Sequence, residues 1–230
     1  MKIGIFYTGG KDSTLTILKA IEDGYEVKYL FTVKPKNFDS YMFHSVTLDI
    51  TKIQAKLMNI EHVFFEVSGE KEKEVNELIE NLKNFYREID CIGVGAIKSL
   101  YQYKRFEKIA NKFNLKIYAP LWNRECKNIW KEFLERKFKI IITKISAEGL
   151  EEEMLGKVID YRMLECLIKK SEKYMFDLCF EGGEAETLVL DCPLFSKEIE
   201  IKKFEIKRDL NSSWMEIKEL ELKNKLKRKV

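Results

Sequence analysis

Residues 2–13 constrain the fold more than any other stretch of the chain. Lys2-Ile3-Gly4-Ile5-Phe6-Tyr7 is a short apolar run with the character of a buried parallel strand, and Thr8-Gly9-Gly10-Lys11-Asp12-Ser13 breaks it. From Ser13 to Ile21 apolar residues return at helical spacing. Leu15, Leu18 and Ile21 are expected to face inward, with Gly24 just past the helix end. The alternation then repeats. Residues 27–33, 62–67, 91–95 and 116–119 read as strands, and residues 49–58, 70–86 and 99–113 as helices, the last capped by Ser99. In the helix at 70–86, Val75, Leu78, Ile79, Leu82 and Phe85 form one apolar face. Such alternation predicts an α/β fold with a parallel sheet covered on both faces.

After Pro120 the texture changes. Helices are expected at 127–136 and 160–174 and a strand at 139–145. Two further strands, 198–207 and 213–222, flank the turn Asp209-Leu210-Asn211-Ser212. This divides the chain into residues 1–120, an α/β domain, and residues 121–230, a smaller α+β region.

Composition excludes several classes. With 45% apolar and 34% charged residues the chain is globular and not disordered. The net charge is +3, but five basic residues (Lys223, Lys225, Lys227, Arg228, Lys229) lie in the last eight positions, so the rest is mildly acidic. That balance offers no broad nucleic-acid surface, and the tail reads as a solvated helix end. No membrane-length apolar run and no signal peptide is present. The five cysteines (Cys91, Cys126, Cys166, Cys179, Cys192) form no CxxC pair. With only His44 and His62 beside them they make no zinc constellation, and they read as small buried hydrophobes, reduced in a cytoplasmic protein.

The loop at 8–13 carries chemistry. Two glycines allow close backbone approach to an anion, and the helix that follows presents its first N–H groups and positive dipole end. Lys11 adds a cation, and Thr8 and Ser13 add hydroxyls. Asp12 would repel phosphate unless a metal stood between them, so its presence predicts Mg²⁺. Neither a Walker loop nor a GxGxxG fingerprint fits this spacing. The segment resembles the SGGxDS loop of the N-type ATP pyrophosphatases, with Thr in place of the first Ser. That resemblance implies ATP as cosubstrate and release of pyrophosphate.

A second string, Glu181-Gly182-Gly183-Glu184-Ala185-Glu186-Thr187-Leu188-Val189-Leu190-Asp191, crowds three carboxylates on a Gly-Gly turn ahead of an apolar anchor. Carboxylates so placed need a cation, a metal or N–H donors. The string is similar to the EGGExETLVLDxPLF signature of the diphthine–ammonia ligase family. Tyr41-Met42-Phe43-His44, the stretch from Gly95 to Arg105, Pro120-Leu121-Trp122 and Glu148-Gly149-Leu150 match as well, so the resemblance spans about residues 1–195. Ala185, Phe180, Cys192 and Val46-Thr47 depart from the family pattern.

The resemblance implies amidation of the diphthine carboxylate of elongation factor 2 with ammonium and ATP, giving diphthamide, AMP and pyrophosphate. It assigns catalysis to Lys11, Asp12, Glu184 and Glu186, and the nucleotide to Thr8, Gly9, Gly10, Lys11, Asp12, Ser13 and Gly95, with Mg²⁺ on Asp12. On the substrate side stand His44, Tyr101, Gln102, Arg105, Trp122, Glu181, Glu184, Glu186 and Thr187. Tyr101 and Arg105, four apart, share a helix face, and by spacing alone they are equally a surface pair or an anion site. Acids near an aromatic such as Trp122 suit the trimethylammonium group of diphthine. His44 by itself reads as structural, and Tyr103, Phe106 and Phe113 as core. Two rivals remain open at this point, a tRNA-modifying adenylating enzyme and a non-catalytic ATP-binding domain, and homo-oligomerisation is undecided.

Overall fold

The structure is a computed structural model that describes residues 1–35 and 44–225; the side chains at 35, 44–49, 71 and 72 lie outside that description. The chain divides into two units, Met1–Asn123 and Arg124–Val230.

In the first unit the strands are β1 (Lys2–Phe6), β2 (Glu26–Pro35), β3 (Glu61–Val67), β4 (Cys91–Gly93) and β5 (Lys116–Tyr118). The helices are α1 (Lys11–Glu22), α2 (His44–Met58), α3 (Lys71–Leu82) and α4 (Leu100–Lys112). All strand pairs are parallel and the order is β3-β2-β1-β4-β5, a Rossmann-like sheet. The order reverses between β1 and β4, where open sheets of this kind place a ligand beyond the strand ends. Side chains alternate across the sheet. One face buries Phe6, Phe31 and Phe65 against Leu78, Ile79 and Leu82 of α3 and Ile109 and Ala110 of α4. Ile3, Ile5 and Leu30 are fully buried on the other side of the pleat, and α1 and α2 pack on these strands.

The second unit holds α5 (Cys126–Glu135), β6 (Lys139–Ile145), α6 (Tyr161–Tyr174), β7 (Ala185–Asp191), β8 (Lys197–Arg208) and β9 (Ser213–Asn224). Its sheet runs β7-β6-β9-β8 and is antiparallel throughout. Trp130, Phe133, Ile141, Ile142, Val189 and Trp214 are buried in this unit. The expected parallel α/β sheet with a smaller α+β region is therefore the fold observed.

Local signals fared well. The Ser99 hydroxyl accepts the Gln102 N–H at 3.3 Å, and Asp160 caps α6 through the Met163 N–H at 2.8 Å. Four readings need correction. Ile21 is exposed, because the buried face of α1 runs through Leu15, Ile17 and Leu18 and leaves residue 21 outside it. The helix α3 stops at Leu82, not Tyr86; the next turn tightens, and Phe85 instead packs on Tyr29 and Phe31 at 5.2 and 5.6 Å. The basic tail does not begin as a solvated helix: Lys223 lies in β9, and Lys225 reaches the buried carboxylate of Asp191 at 2.5 Å and the Cys192 carbonyl at 2.6 Å.

The fourth correction concerns the cysteines. Cys126 and Cys179 are joined in a disulfide, while Cys91, Cys166 and Cys192 are free thiols. The partners stand 53 residues apart, and only the docking of the start of α5 beside the segment before the acidic turn brings them together. A loop of that length stabilises the folded chain by about 4 kcal/mol on the chain-entropy account. Thiol titration of denatured, unreduced protein is expected to count the three free cysteines, and all five after reduction. Reduction is also expected to lower the melting temperature; five thiols before reduction would contradict the bridge.

Candidate active site

The loop after β1 is built from short-range contacts. Tyr7 N–H still bonds the Phe31 carbonyl of β2 at 2.8 Å, and pairing ends there. Gly9 then turns at φ +77°, a conformation that favours glycine, and a Cβ at Gly9 would lie 2.6 Å from Gln54 Oε1. Gly10 is the N-cap of α1 and brings no side-chain cap, so the first-turn N–H groups face outward without intrahelical carbonyls. Ser13 ties the loop: its Oγ accepts the Thr8 N–H at 3.2 Å, lies 3.1 Å from Thr8 Oγ1 and donates to the Gly10 carbonyl at 3.3 Å. Lys11 is almost wholly buried, and its Nζ lies 2.5 Å from Asp12 Oδ2.

Gly95 follows β4 and meets this loop directly. A Cβ there would fall 2.8 Å from the Ser13 nitrogen and 2.9 Å from the Asp12 carbonyl carbon. Bare backbone on both sides of the switch point therefore packs closely, and the start of α1 brings its first N–H groups and Lys11 to this point. Thr8, Gly9, Gly10, Lys11, Asp12, Ser13 and Gly95 are thus brought together.

Elsewhere in the first unit the expected contacts are less concentrated. Tyr101 and Gln102 are exposed in the first turn of α4. The Arg105 guanidinium lies over the Tyr101 ring at 5.0 Å and donates to its hydroxyl at 3.0 Å, as the four-residue spacing requires. It also pairs with Glu74 of α3 at 2.5 Å. Trp122 is half-buried and packs on Tyr103 at 4.5 Å, while Phe106 and Phe113 line the rim of the aromatic core. His44 opens α2, but its side chain lies outside the described residues, as do Tyr41, Met42 and Phe43.

In the second unit Phe180 and Gly183 both take positive φ, and the chain between them forms the acidic turn. Glu184 folds back into it. One carboxylate oxygen accepts the Gly182 N–H at 2.8 Å and the other the Asp177 N–H at 3.2 Å. Glu186 points outward from β7 and pairs loosely with Lys144 of β6 at 3.5 Å, across the register that sets these two residues opposite each other. Glu181 and Thr187 are half-buried. The three acids are therefore held separately and are not a preformed metal cluster. Among the described residues the one metal-capable grouping is Cys126, Asp177 and Cys179, and its two sulfurs are already bonded to each other.

Sequence reasoning missed Gln54. It is fully buried, accepts the Tyr7 hydroxyl at 2.8 Å and donates to the Gly9 carbonyl at 3.1 Å. One signal was available: Ile50, Gln54 and Leu57 share a helix face, so a polar residue sits in a core-facing row. His62 lies beside Thr32 at 2.8 Å; burial, with Lys52 adding to it, pulls its imidazole down to about 4. Burial pushes the Cys91 thiol up to about 11 and the Cys192 thiol up to about 12.

Two family models match the chain in succession. The diphthamide synthase N-terminal domain family matches residues 1–117, and the diphthamide synthase C-terminal domain family matches residues 125–222. The human diphthine–ammonia ligase is 31% identical over 90% of this chain and 85% of its own length. The zebrafish (Danio rerio) enzyme is 32% identical over 86% of each. The Saccharomyces cerevisiae enzyme is 28% identical over 85% of this chain, which spans 33% of that longer protein. A Methanocaldococcus jannaschii structure described as a predicted subunit of tRNA methyltransferase aligns over 81% of this chain and 95% of its own, at 15% identity and a TM-score of 0.44. With both family domains matched in order and relatives of this similarity over most of its length, the chain belongs to the diphthine–ammonia ligase family and is a ligase.

Proposed function

We propose that this chain amidates the diphthine carboxylate of elongation factor 2 through an acyl-adenylate, consuming ATP and ammonium in the cytoplasm. The observation that carries the reading is the start of α1 at the strand-order switch point, entered from the Gly9-Gly10 turn with no side-chain cap and with Lys11 in its first turn. A polyphosphate fits there by charge and by reach. The family domains then supply the acceptor chemistry.

A carboxylate resists attack by ammonia because oxide is a poor leaving group. In the first half-reaction a carboxylate oxygen attacks the α-phosphorus of ATP and pyrophosphate departs. In the second, ammonia attacks the acyl carbon, AMP leaves and a proton is released. Catalysis of the first step is positioning and neutralisation of phosphate charge. The first-turn N–H groups of α1, Lys11 and Ser13 are the donors. Asp12, at the helix start, would hold Mg²⁺, which supplies further positive charge to the phosphates.

Glu184 and Glu186 serve the cationic substrate. Glu186 is 52% exposed, and its long contact with Lys144 is of a kind worth little, so a quaternary ammonium can compete for it. Glu184 holds the turn in shape, which makes it a support for Glu181 and Glu186 as well as a charge. Tyr101, Gln102 and Trp122, all in the first unit, are assigned to the protein substrate, Trp122 through its ring face. Arg105, already tethered by Glu74, is assigned to holding Tyr101 in place.

The test is product stoichiometry with purified protein, diphthine-bearing elongation factor 2, ATP and ammonium. AMP and pyrophosphate are expected in equal amounts with the amide; stoichiometric ADP and phosphate would overturn the mechanism. Glutamine is expected to be inert in place of ammonium, and the rate to rise with pH as the fraction of NH₃ grows.

The two halves of the assignment separate by mutation. Asp12→Ala is expected to abolish turnover and the metal dependence of ATP binding. Glu186→Ala is expected to cut amide formation while ATP binding stays near that of the unmutated protein. Loss of ATP affinity in Glu186→Ala with undiminished substrate binding would reverse its role.

A further inference from the structure

The phosphate loop is braced from outside its own motif. Gln54 lies on α2, 45 residues from Gly9 in sequence, and its carboxamide is fully buried against the loop. The Tyr7 hydroxyl donates to Oε1 at 2.8 Å, and Nε2 donates to the Gly9 carbonyl at 3.1 Å. Each partner has the polarity that fixes the orientation of the amide, since the carbonyl can only accept. Tyr7 is itself 1% exposed, so the brace is anchored to the end of β1 and not to solvent.

The geometry of the peptide gives this brace a consequence. In a trans peptide the C=O and the following N–H point to opposite sides. Holding the Gly9 carbonyl toward α2 therefore turns the Gly10 N–H away from α2, onto the side of the loop where it donates to Thr8 Oγ1 at 3.4 Å. At φ +77° Gly9 has no side chain to resist rotation of that peptide, and glycine flanks it on the next position. Within the motif the plane is held by the long bond from the Gly10 N–H to Thr8 Oγ1, at 3.4 Å. The Cβ that would stiffen residue 9 is excluded by the amide itself, 2.6 Å away.

We infer that Gln54 is a positioning residue for nucleotide phosphate: by clamping the Gly9–Gly10 peptide it keeps the Gly10 N–H on the Thr8 side of the loop, where a phosphate oxygen can replace the Thr8 hydroxyl as its acceptor. This rests on the reading of the loop as an ATP site. The clamp does no chemistry and touches no substrate. Its effect is to prepay the ordering of one donor, so that a bound polyphosphate meets it already aligned. It also explains why Tyr7, at the end of a buried strand, carries a hydroxyl at all: the hydroxyl satisfies the far end of the same amide.

The experiment measures ATP and adenosine binding by the full-length chain, unmutated and as Gln54→Leu, with thermal melting as a check on folding. Gln54→Leu is expected to weaken ATP by about tenfold, the equivalent of one well-aligned hydrogen bond, and to leave adenosine affinity unchanged. A purely structural role would weaken both ligands alike, and that result, or unchanged ATP affinity in a folded variant, would overturn the inference. If Gln54→Leu fails to fold, Gln54→Glu decides. Its carboxyl can donate to the Gly9 carbonyl only when protonated, so its ATP affinity is expected to fall with rising pH relative to the unmutated protein. A ratio constant across pH would refute the clamp. If the unmutated chain binds no ATP, the nucleotide reading fails first, and with it the inference.

Discussion

The contact on which the first unit depends is the one between Gly95 and the first turn of α1. There a single added methyl would sit 2.8 Å from the Ser13 nitrogen. Backbone can approach backbone so closely only where β1 and β4 are neighbours and their ends are level. The parallel pairing of Ile3, Gly4 and Ile5 with Cys91, Ile92 and Gly93 achieves both. The strand order, with its reversal between β1 and β4, is thus the cause of this close approach and not merely its setting. The aromatic layer of Phe6, Phe31 and Phe65 acts at one remove, keeping those strands level by filling the space beneath α3 and α4.

Charge in the two units is handled in different ways. At the start of α1 the helix dipole favours Asp12 and disfavours Lys11, yet Lys11 is the more deeply buried. Asp12 compensates by pairing with it. Under the proposed function a polyphosphate would offer Lys11 further acceptors, and the Asp12 carboxylate beside it would then need a cation. In the acidic turn the problem is solved locally: Glu184 takes two backbone N–H groups and leaves Glu186 at the surface. Two carboxylates two residues apart in sequence therefore have different duties, and that difference comes from the strand alternation that begins at Ala185.

What could be read from the sequence follows the range of the interaction. The loop at 8–13, the cap at Ser99 and the Tyr101–Arg105 pair each involve residues within five positions, and spacing alone exposes them. The pairings of Gln54 with Gly9, Arg105 with Glu74 and Cys126 with Cys179 span 45, 31 and 53 residues. No periodicity encodes which helix face meets which loop, so these pairings become visible only in the fold. The end of α3 shows the same limit. Phe85 continues the apolar helical row, yet its contacts with Tyr29 and Phe31 decide its place, and the helix yields to them. Propensity is a weak prior against such packing.

The cysteines bear on the source of nitrogen. Releasing ammonia from glutamine within the chain would take a thiolate nucleophile with a general base. Burial disfavours the thiolate at Cys91 and at Cys192, pushing them up to about 11 and about 12. Cys126 and Cys179 have spent their sulfurs on each other. The fifth, Cys166, lies half-buried on α6 among Arg162, Glu165, Lys169 and Lys170, with no histidine in that group. Of the two histidines, His62 is already engaged with Thr32 in the first unit. Under the proposed function we therefore take ammonia to arrive already free and assign the chain the activation of the carboxylate that receives it.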